Sequence, residues 1–215
     1  MGSLSSLPLA ALAEAHGATW FCETGTAHGA GLSFALNVNR FNFCASIEVH
    51  EPTFLRASRR FAMDHRAHVY PGESPAVLAW LMERNPAPAV FWLDAHFPGV
   101  DVGAASFEET TDHARKFPAQ DELNAISAAG RAGDVILLDD ARIWLGPMDA
   151  LIVAPVDLTQ PFGTPASAGA PPWRCPIPLD LSAFAATHEA RLIPVDQGYL
   201  ILLPNEQPRA FTFRH

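Results

Sequence analysis

Two apolar runs constrain this chain more than any other feature: AVFWLDAH over residues 89–96 and DVILLDDAR over residues 134–142. Neither alternates apolar with polar side chains, as a strand with one wet face would. Each closes on acid, Asp94 in the first and Asp139-Asp140 in the second. A strand that is apolar on both faces has to be covered on both. Strands inside a parallel sheet flanked by helices meet that condition.

The rest of the chain supplies the partners such a sheet needs. TWFCETG (19–25), FNFCASIEVH (41–50) and Ala67–Tyr70 read as further strands. Between them, residues 28–39, 52–65, 75–84 and 118–130 read as helices, with Pro52 tolerated in a first turn and Ser74 placed to cap the third. Residues 5–17 suit a short leading helix. Late in the chain, RLIPVDQGYLILLP reads as two strands around Asp196-Gln197-Gly198, an antiparallel addition at the sheet edge. The expected fold is α/β, doubly wound and Rossmann-like: a mostly parallel sheet with a C-terminal antiparallel hairpin and helices on both faces. We expect one domain over residues 1–215, with loop insertions at 97–117 and 146–178. Loops that leave the C-terminal edge of such a sheet are where binding groups collect.

Charge narrows the partners. The chain carries 14 basic and 23 acidic side chains, and its only lysine is Lys116. No basic run offers a footprint for a phosphate backbone, so neither nucleic acid nor an anionic membrane is expected. No apolar stretch is long enough to span a bilayer and the first residues lack a positive leader region, which points to the cytoplasm. Gly2 and Ser6 fit a loose myristoylation pattern that is too short to carry weight. Cys22, Cys44 and Cys175 form no CxxC pair and read as buried small residues. The expected partner is a small molecule, and the sequence leaves a homo-oligomer open.

Three features converge on a nucleoside. In Glu23-Thr-Gly-Thr-Ala-His-Gly-Ala-Gly31, a strand passes into a glycine-rich turn that opens a helix. There Gly25 and Gly29, with Thr26, Ala27 and His28 between them, let backbone approach a ligand, and free N–H groups can hold an anion. Glu48 ends the next strand 23 residues after Gly25, where a carboxylate accepts both hydroxyls of a ribose. Gly72-Glu73-Ser74 follows the third strand, where a base could lie. His28 reads more readily as a cap of the turn than as a ligand contact. An NAD-linked oxidoreductase is the rival enzyme, but Gly25-x-Ala27-x-Gly29 is not GxGxxG, and no GK[ST] makes a phosphate loop.

The ordered set ETGTAHGAG, SIEVH, PGES, FWLDAH and LLDDAR resembles the class I S-adenosylmethionine (AdoMet) dependent methyltransferases, over residues 18 to about 142 and the closing hairpin. The resemblance implies that Glu23, Gly25, Thr26, Ala27, His28, Gly29, Glu48, Gly72, Glu73, Ser74 and Asp94 hold the cofactor. Ala27 stands where the family's middle glycine would be. The late motifs are similar to the metal-dependent O-methyltransferases that act on macrolide sugars. That similarity implies a divalent ion on Asp94, Asp139 and Asp140, with His96 at the position of the general base, where those enzymes have aspartate. Hard oxygen ligands favour Mg²⁺ over zinc. The implied activity is O-methylation of a small hydroxylated acceptor, with Asp94 and His96 as the catalytic pair. A noncatalytic AdoMet-binding protein is the alternative. Without a metal, Asp139 could cap a helix and Asp140 pair with Arg142.

Overall fold

The two apolar runs become the interior of one sheet. The computed structural model describes residues 3–97, 100, 103, 106, 112–147, 153–167 and 169–205. Its strands are β1 (Trp20–Thr24), β2 (Phe43–Glu48), β3 (Ala67–Pro71), β4 (Ala89–Leu93), β5 (Val135–Leu138), β6 (Ala154–Val156), β7 (His188–Ile193) and β8 (Tyr199–Pro204). They lie in the order β3-β2-β1-β4-β5-β8-β7-β6. The first five are parallel, and β8, β7 and β6 each run antiparallel to the neighbour before. Every residue of β4 and β5 is buried.

Alternate side chains feed two apolar layers. Cys22, Ile47, Phe91, Leu93, Ile136 and Leu138 face one side with Leu78, Leu81, Leu123 and Ile126. Those partners come from α4 (Ser74–Arg84) and α6 (Ala119–Ala128). Phe21, Cys44, Val90, Trp92, Val135 and Leu137 face the other side with Leu12, Leu32, Ala35, Ala57 and Phe61. These come from α1 (Leu9–Ala15), α2 (Ala30–Val38) and α3 (Glu51–Phe61). The expected sheet and hairpin are present, and all three cysteines are free and buried.

Several local features differ from expectation. Ser74 does not cap α4: it is the helix's first residue, Glu73 precedes it, and the Ser74 hydroxyl is turned inward. The short helix α5 (His113–Lys116) and the edge strand β6 lie where loop was expected, and another short helix, α7 (Arg142–Leu145), begins at Arg142, the last residue of the run read as a strand. β6 is three residues long with Pro155 at its centre, which is tolerated only at an edge. Most of the 97–117 stretch, residues 148–152, Ala168 and Gly2 lie outside the described residues. Among the described residues no helix is long and apolar enough to cross a membrane.

The chain order reverses about β1, with β2 and β3 on one side and β4 and β5 on the other. Loops leaving β1 and β4 therefore diverge at a topological switch point, where crevices of doubly wound sheets open. Far along the chain, the β7–β8 hairpin reaches back to the first residues. Tyr199 Oη accepts from the Ser3 N–H at 2.9 Å and donates to Asp196 at 2.6 Å, and the Ser6 hydroxyl donates to Asp196 at 2.9 Å.

Candidate functional site at the switch point

The turn after β1 is shaped by what it has to pass. Gly25 has φ +79°, and a Cβ there would sit 2.6 Å from the Asp94 carbonyl oxygen at the end of β4. Only glycine fits. The Gly25 N–H donates to the Ile47 carbonyl at 2.9 Å, joining the turn to β2 as well. Ala27 has φ +43° in the left-handed region, which explains why a glycine would be easier in its place. The Ala27 N–H donates to Glu48 Oε2 at 3.0 Å and the His50 N–H to Oε1 at 2.8 Å. Glu48 is thus locked against the glycine turn, and each carboxylate oxygen keeps a lone pair for a further donor. From outside, Arg60 donates to the His28 carbonyl and to the Ser33 hydroxyl.

Two cavities meet here. The first has about 560 Å³ of empty space, mouth included, and is lined by Gly25, Ala27, Glu48, Gly72, Glu73, Ser74, Asp94 and His96, with Phe97, Arg115 and Pro118. The second, about 1090 Å³ on the same measure, is lined by Glu23, Thr26, His28, Phe34 and Trp92 and closed by Ser3, Leu4 and Ser5. Gly25, Ala27 and Asp94 belong to both. Eleven of the fourteen expected site residues therefore line one or both cavities. Gly29, Asp139 and Asp140 line neither, although Asp140 touches His96. His28 is exposed and makes no side-chain cap; Gly29 occupies the cap position of α2. Glu73 borders the first cavity with its carboxylate paired to Arg115 at 2.9 Å.

Burial sets the charges. Glu23 is pushed up to about 8 by burial, with the Glu48 charge adding to the rise, against hydrogen bonds from Ser46 and the Leu32 backbone. The Ser46 hydroxyl donates to Glu23 at 2.6 Å, so Thr26, 2.5 Å from Ser46, is the donor in that pair. Gly31 leaves the room Glu23 occupies, since a Cβ there would lie 2.1 Å from Glu23 Oε2. Glu122 on α6 is pushed up to about 7 by burial, against hydrogen bonds from Ser74 and Thr24 and the charge of His96.

His96 lies between two carboxylates. Burial works downward on it, but the hydrogen bond to Asp140 and the charges of Asp94, Asp140 and Asp139 push it up to about 9. Its Nε2 lies 2.9 Å from Asp140 and its Nδ1 lies 3.6 Å from Asp94. Carboxylates facing both ring nitrogens favour the imidazolium form of His96.

The expected metal set also fails to assemble. Among the described residues no group of three or more His, Cys, Asp or Glu side chains is arranged to hold a metal ion. The His96 ring stands 2.9 Å from Asp140 and 3.6 Å from Asp94, between two of the three acids the sequence assigns to an ion. Asp139 is buried, caps no helix, and has no hydrogen-bond partner for its carboxylate among the described residues; burial and the Asp140 charge push it up to about 6. Burial works upward on Asp140, yet His96 and Arg142, 3.6 Å away, hold it below the usual range. The acids singled out in the sequence thus form a charge cluster around His96.

Sequence reasoning missed Glu122, Thr24 and Arg115. Glu122 lies in the first turn of α6, where an acid suits the helix dipole, but Ala119, Leu123 and Ile126 are buried with it on one stripe. An acid on an apolar stripe was the available signal. Trp92 is core and borders the second cavity. Trp173 stacks under Arg142, with 5.1 Å from guanidinium to ring centre.

No family model matches the chain, and no curated protein matches it. Solved structures do. A Staphylococcus aureus protein provisionally assigned as a caffeoyl-CoA O-methyltransferase superposes with a TM-score of 0.58 at 10% identity, covering 95% of this chain and 85% of that one. The O-methyltransferase TomG from Streptomyces achromogenes, involved in tomaymycin synthesis and solved with SAM, gives 0.53 at 17% identity, covering 91% and 77%. The chain therefore shares the fold on which these two proteins are built.

Proposed function

We propose that this chain is an AdoMet-dependent methyltransferase of the cytoplasm that methylates a hydroxyl of a small acceptor, a sugar or related natural product. The observation that carries the reading is the locked Glu48 carboxylate, held by the Ala27 and His50 N–H groups at the mouth of a cavity that also presents Gly25, Ser74 and Asp94. A nucleoside with an amino-acid tail and a positive sulfonium fits this cradle. Glu48 has lone pairs for a ribose diol, and the turn at 72–74 can wall a base. The Gly25–Gly29 turn at the start of α2 offers N–H groups to a carboxylate. Glu23 and Asp94 put acid beside the tail. A pyrophosphate would meet those same acids, which disfavours NAD. That TomG was solved with SAM supports the same cofactor.

When bound, AdoMet supplies an activated methyl group on a good leaving group. The chain's own task is to bring the acceptor oxygen to that methyl and ease the loss of its proton. Such positioning can contribute about 7–11 kcal/mol. Asp94 borders both cavities, so we assign it the contact with the reacting centre: as the acceptor oxygen bonds to the methyl carbon and the carbon–sulfur bond breaks, the Asp94 carboxylate takes the hydroxyl proton. The His96 imidazolium fixes Asp94 and Asp140. Its charge lowers the pKa of a nearby acceptor hydroxyl, the effect a divalent ion would otherwise provide. The donor set does not fit Mg²⁺, because His96 stands among the carboxylates, and no step is assigned to it.

The test is calorimetric titration with S-adenosylhomocysteine (AdoHcy) and with NAD, followed by methyl-transfer assays on a panel of hydroxylated acceptors. AdoHcy binding without NAD binding, plus methyl transfer, is the expected result. NAD binding in preference to AdoHcy would overturn the cofactor assignment. AdoHcy binding with no transfer to any acceptor would favour a noncatalytic cofactor-binding protein.

A further inference from the structure

Glu122 is a buried acid that touches the wall of the first cavity through Ser74 and that no step above uses. It belongs to α6, is 1% exposed, and accepts a hydrogen bond from the Ser74 hydroxyl. The Thr24 side chain also acts on it, favouring its ionised form. Thr24 Oγ1 in turn accepts from the Asp94 N–H at 3.1 Å, so the Thr24 proton is free to point at Glu122. When ionised, the Glu122 carboxylate therefore takes the only proton of the Ser74 hydroxyl at the start of α4.

That arrangement fixes a polarity. A serine hydroxyl has one proton and two lone pairs. With its proton committed to Glu122, Ser74 can show the cavity only an acceptor. We propose that Glu122 is a positioning residue for base selection: by holding Ser74 as an acceptor it makes the cavity favour a purine carrying an amino donor over one carrying a keto oxygen. This rests on the nucleoside reading above. A 6-amino purine meets a matched group at Ser74, whereas a 6-oxo purine brings oxygen against oxygen. Mismatch at a buried hydrogen-bonding group costs far more than a missing contact on an apolar wall.

The experiment compares the affinities of AdoHcy and its 6-oxo analogue, S-inosylhomocysteine, by calorimetry for the wild-type chain, Glu122→Met and Ser74→Ala, at a pH well above the Glu122 value of about 7 so that its carboxylate is ionised. Methionine is near glutamate in volume and accepts only weakly, so it releases the Ser74 proton to turn toward the cavity. The wild-type chain should prefer AdoHcy by roughly tenfold or more, given what one matched hydrogen bond contributes. Glu122→Met should bring the ratio near one by weakening AdoHcy and sparing or improving the inosyl compound. A purely structural role would weaken both ligands equally and leave the ratio unchanged, which overturns the proposal. Ser74→Ala leaves the Glu122 backbone untouched and should also collapse the ratio; should Glu122→Met fail to fold, an unchanged ratio in Ser74→Ala refutes the proposal on its own. Equal wild-type affinity for both ligands sinks base selection but leaves the cofactor reading standing. Failure of the wild-type chain to bind either ligand removes both.

Discussion

Replacing Gly25 by alanine puts the central close approach under direct test. Two costs arise at that position. The residue has φ +79°, and a non-glycine residue held in left-handed backbone costs about 1–2 kcal/mol. The new Cβ would also lie 2.6 Å from the Asp94 carbonyl oxygen and 3.0 Å from its carbonyl carbon. Neither is a flexible side-chain end, so the strand end itself must shift, at about 1–3 kcal/mol for such overpacking. Alanine recovers about 0.4–1 kcal/mol by restricting the unfolded chain. The net loss should be roughly 2–4 kcal/mol. Gly17 is the internal control: φ is +65° but nothing lies within 4 Å of a Cβ there, so Gly17→Ala carries the backbone cost alone. Urea denaturation of both variants gives the difference through the midpoints, provided the slopes match the wild type. Gly25→Ala should be the less stable by about 1–3 kcal/mol, the overpacking contribution, and should also bind AdoHcy more weakly because the glycine turn that walls the cavity is displaced. Equal losses in the two variants would show that the β1 turn does not ride over β4, and the shared wall of the two cavities would go with it.

Asp94→Ala should abolish methyl transfer while sparing most AdoHcy affinity, since Glu48 and the glycine turn remain; unchanged turnover removes Asp94 from the mechanism. Asp140→Asn takes away the partner 2.9 Å from His96 Nε2, so the His96 pKa should fall from about 9 toward its ordinary value, read by NMR titration; an unmoved titration refutes the ion pair. Because the native chain keeps the His96 proton to about 9, this pair contributes stability in full below the ordinary value of 6.5 and loses it as pH rises through 9. Glu23 has the opposite consequence. Its native carboxyl stays protonated to about 8 while the unfolded one ionises near 4.5, so its burial lowers stability as pH rises across that window, and Glu23→Gln should flatten the fall. A positive ligand beside Glu23 should release a proton on binding, so AdoMet affinity should rise with pH until about 8; calorimetry at neutral pH in buffers of different ionisation enthalpy would show no proton release if Glu23 stays neutral. Turnover should persist in EDTA, and full loss restored by Mg²⁺ would return Asp94, Asp139 and Asp140 to a metal role.

What the sequence disclosed follows from which forces are local. β4 and β5 were legible because burial on both faces forces continuous apolar runs, and strand-end acids were legible because each follows such a run directly. Gly25 and Glu48 could be paired because strand spacing in a doubly wound sheet repeats. The partnerships among the acids were not legible. Whether Asp94 and Asp140 face an ion or an imidazole depends on the turn of one His96 side chain, and no spacing encodes it. The same holds for Ser74, where the local pattern favoured a cap. The long-range contact with Glu122, 48 residues away, prevailed because a buried carboxylate without a donor costs more than an uncapped helix end.

The hydrogen bonds from Ser3 and Ser6 to the β7–β8 hairpin span 196 and 190 residues of chain. They give the two cavities different histories. The described lining of the first comes from residues 25–118, so its parts can meet while later chain is still being made. The second needs Ser3, Leu4 and Ser5 tethered by Tyr199 and Asp196, a pairing with one of the longest loops the chain can close. During synthesis on the ribosome, the nucleoside half of the crevice can therefore take shape first, and its neighbour is sealed only once the final hairpin has emerged and folded back.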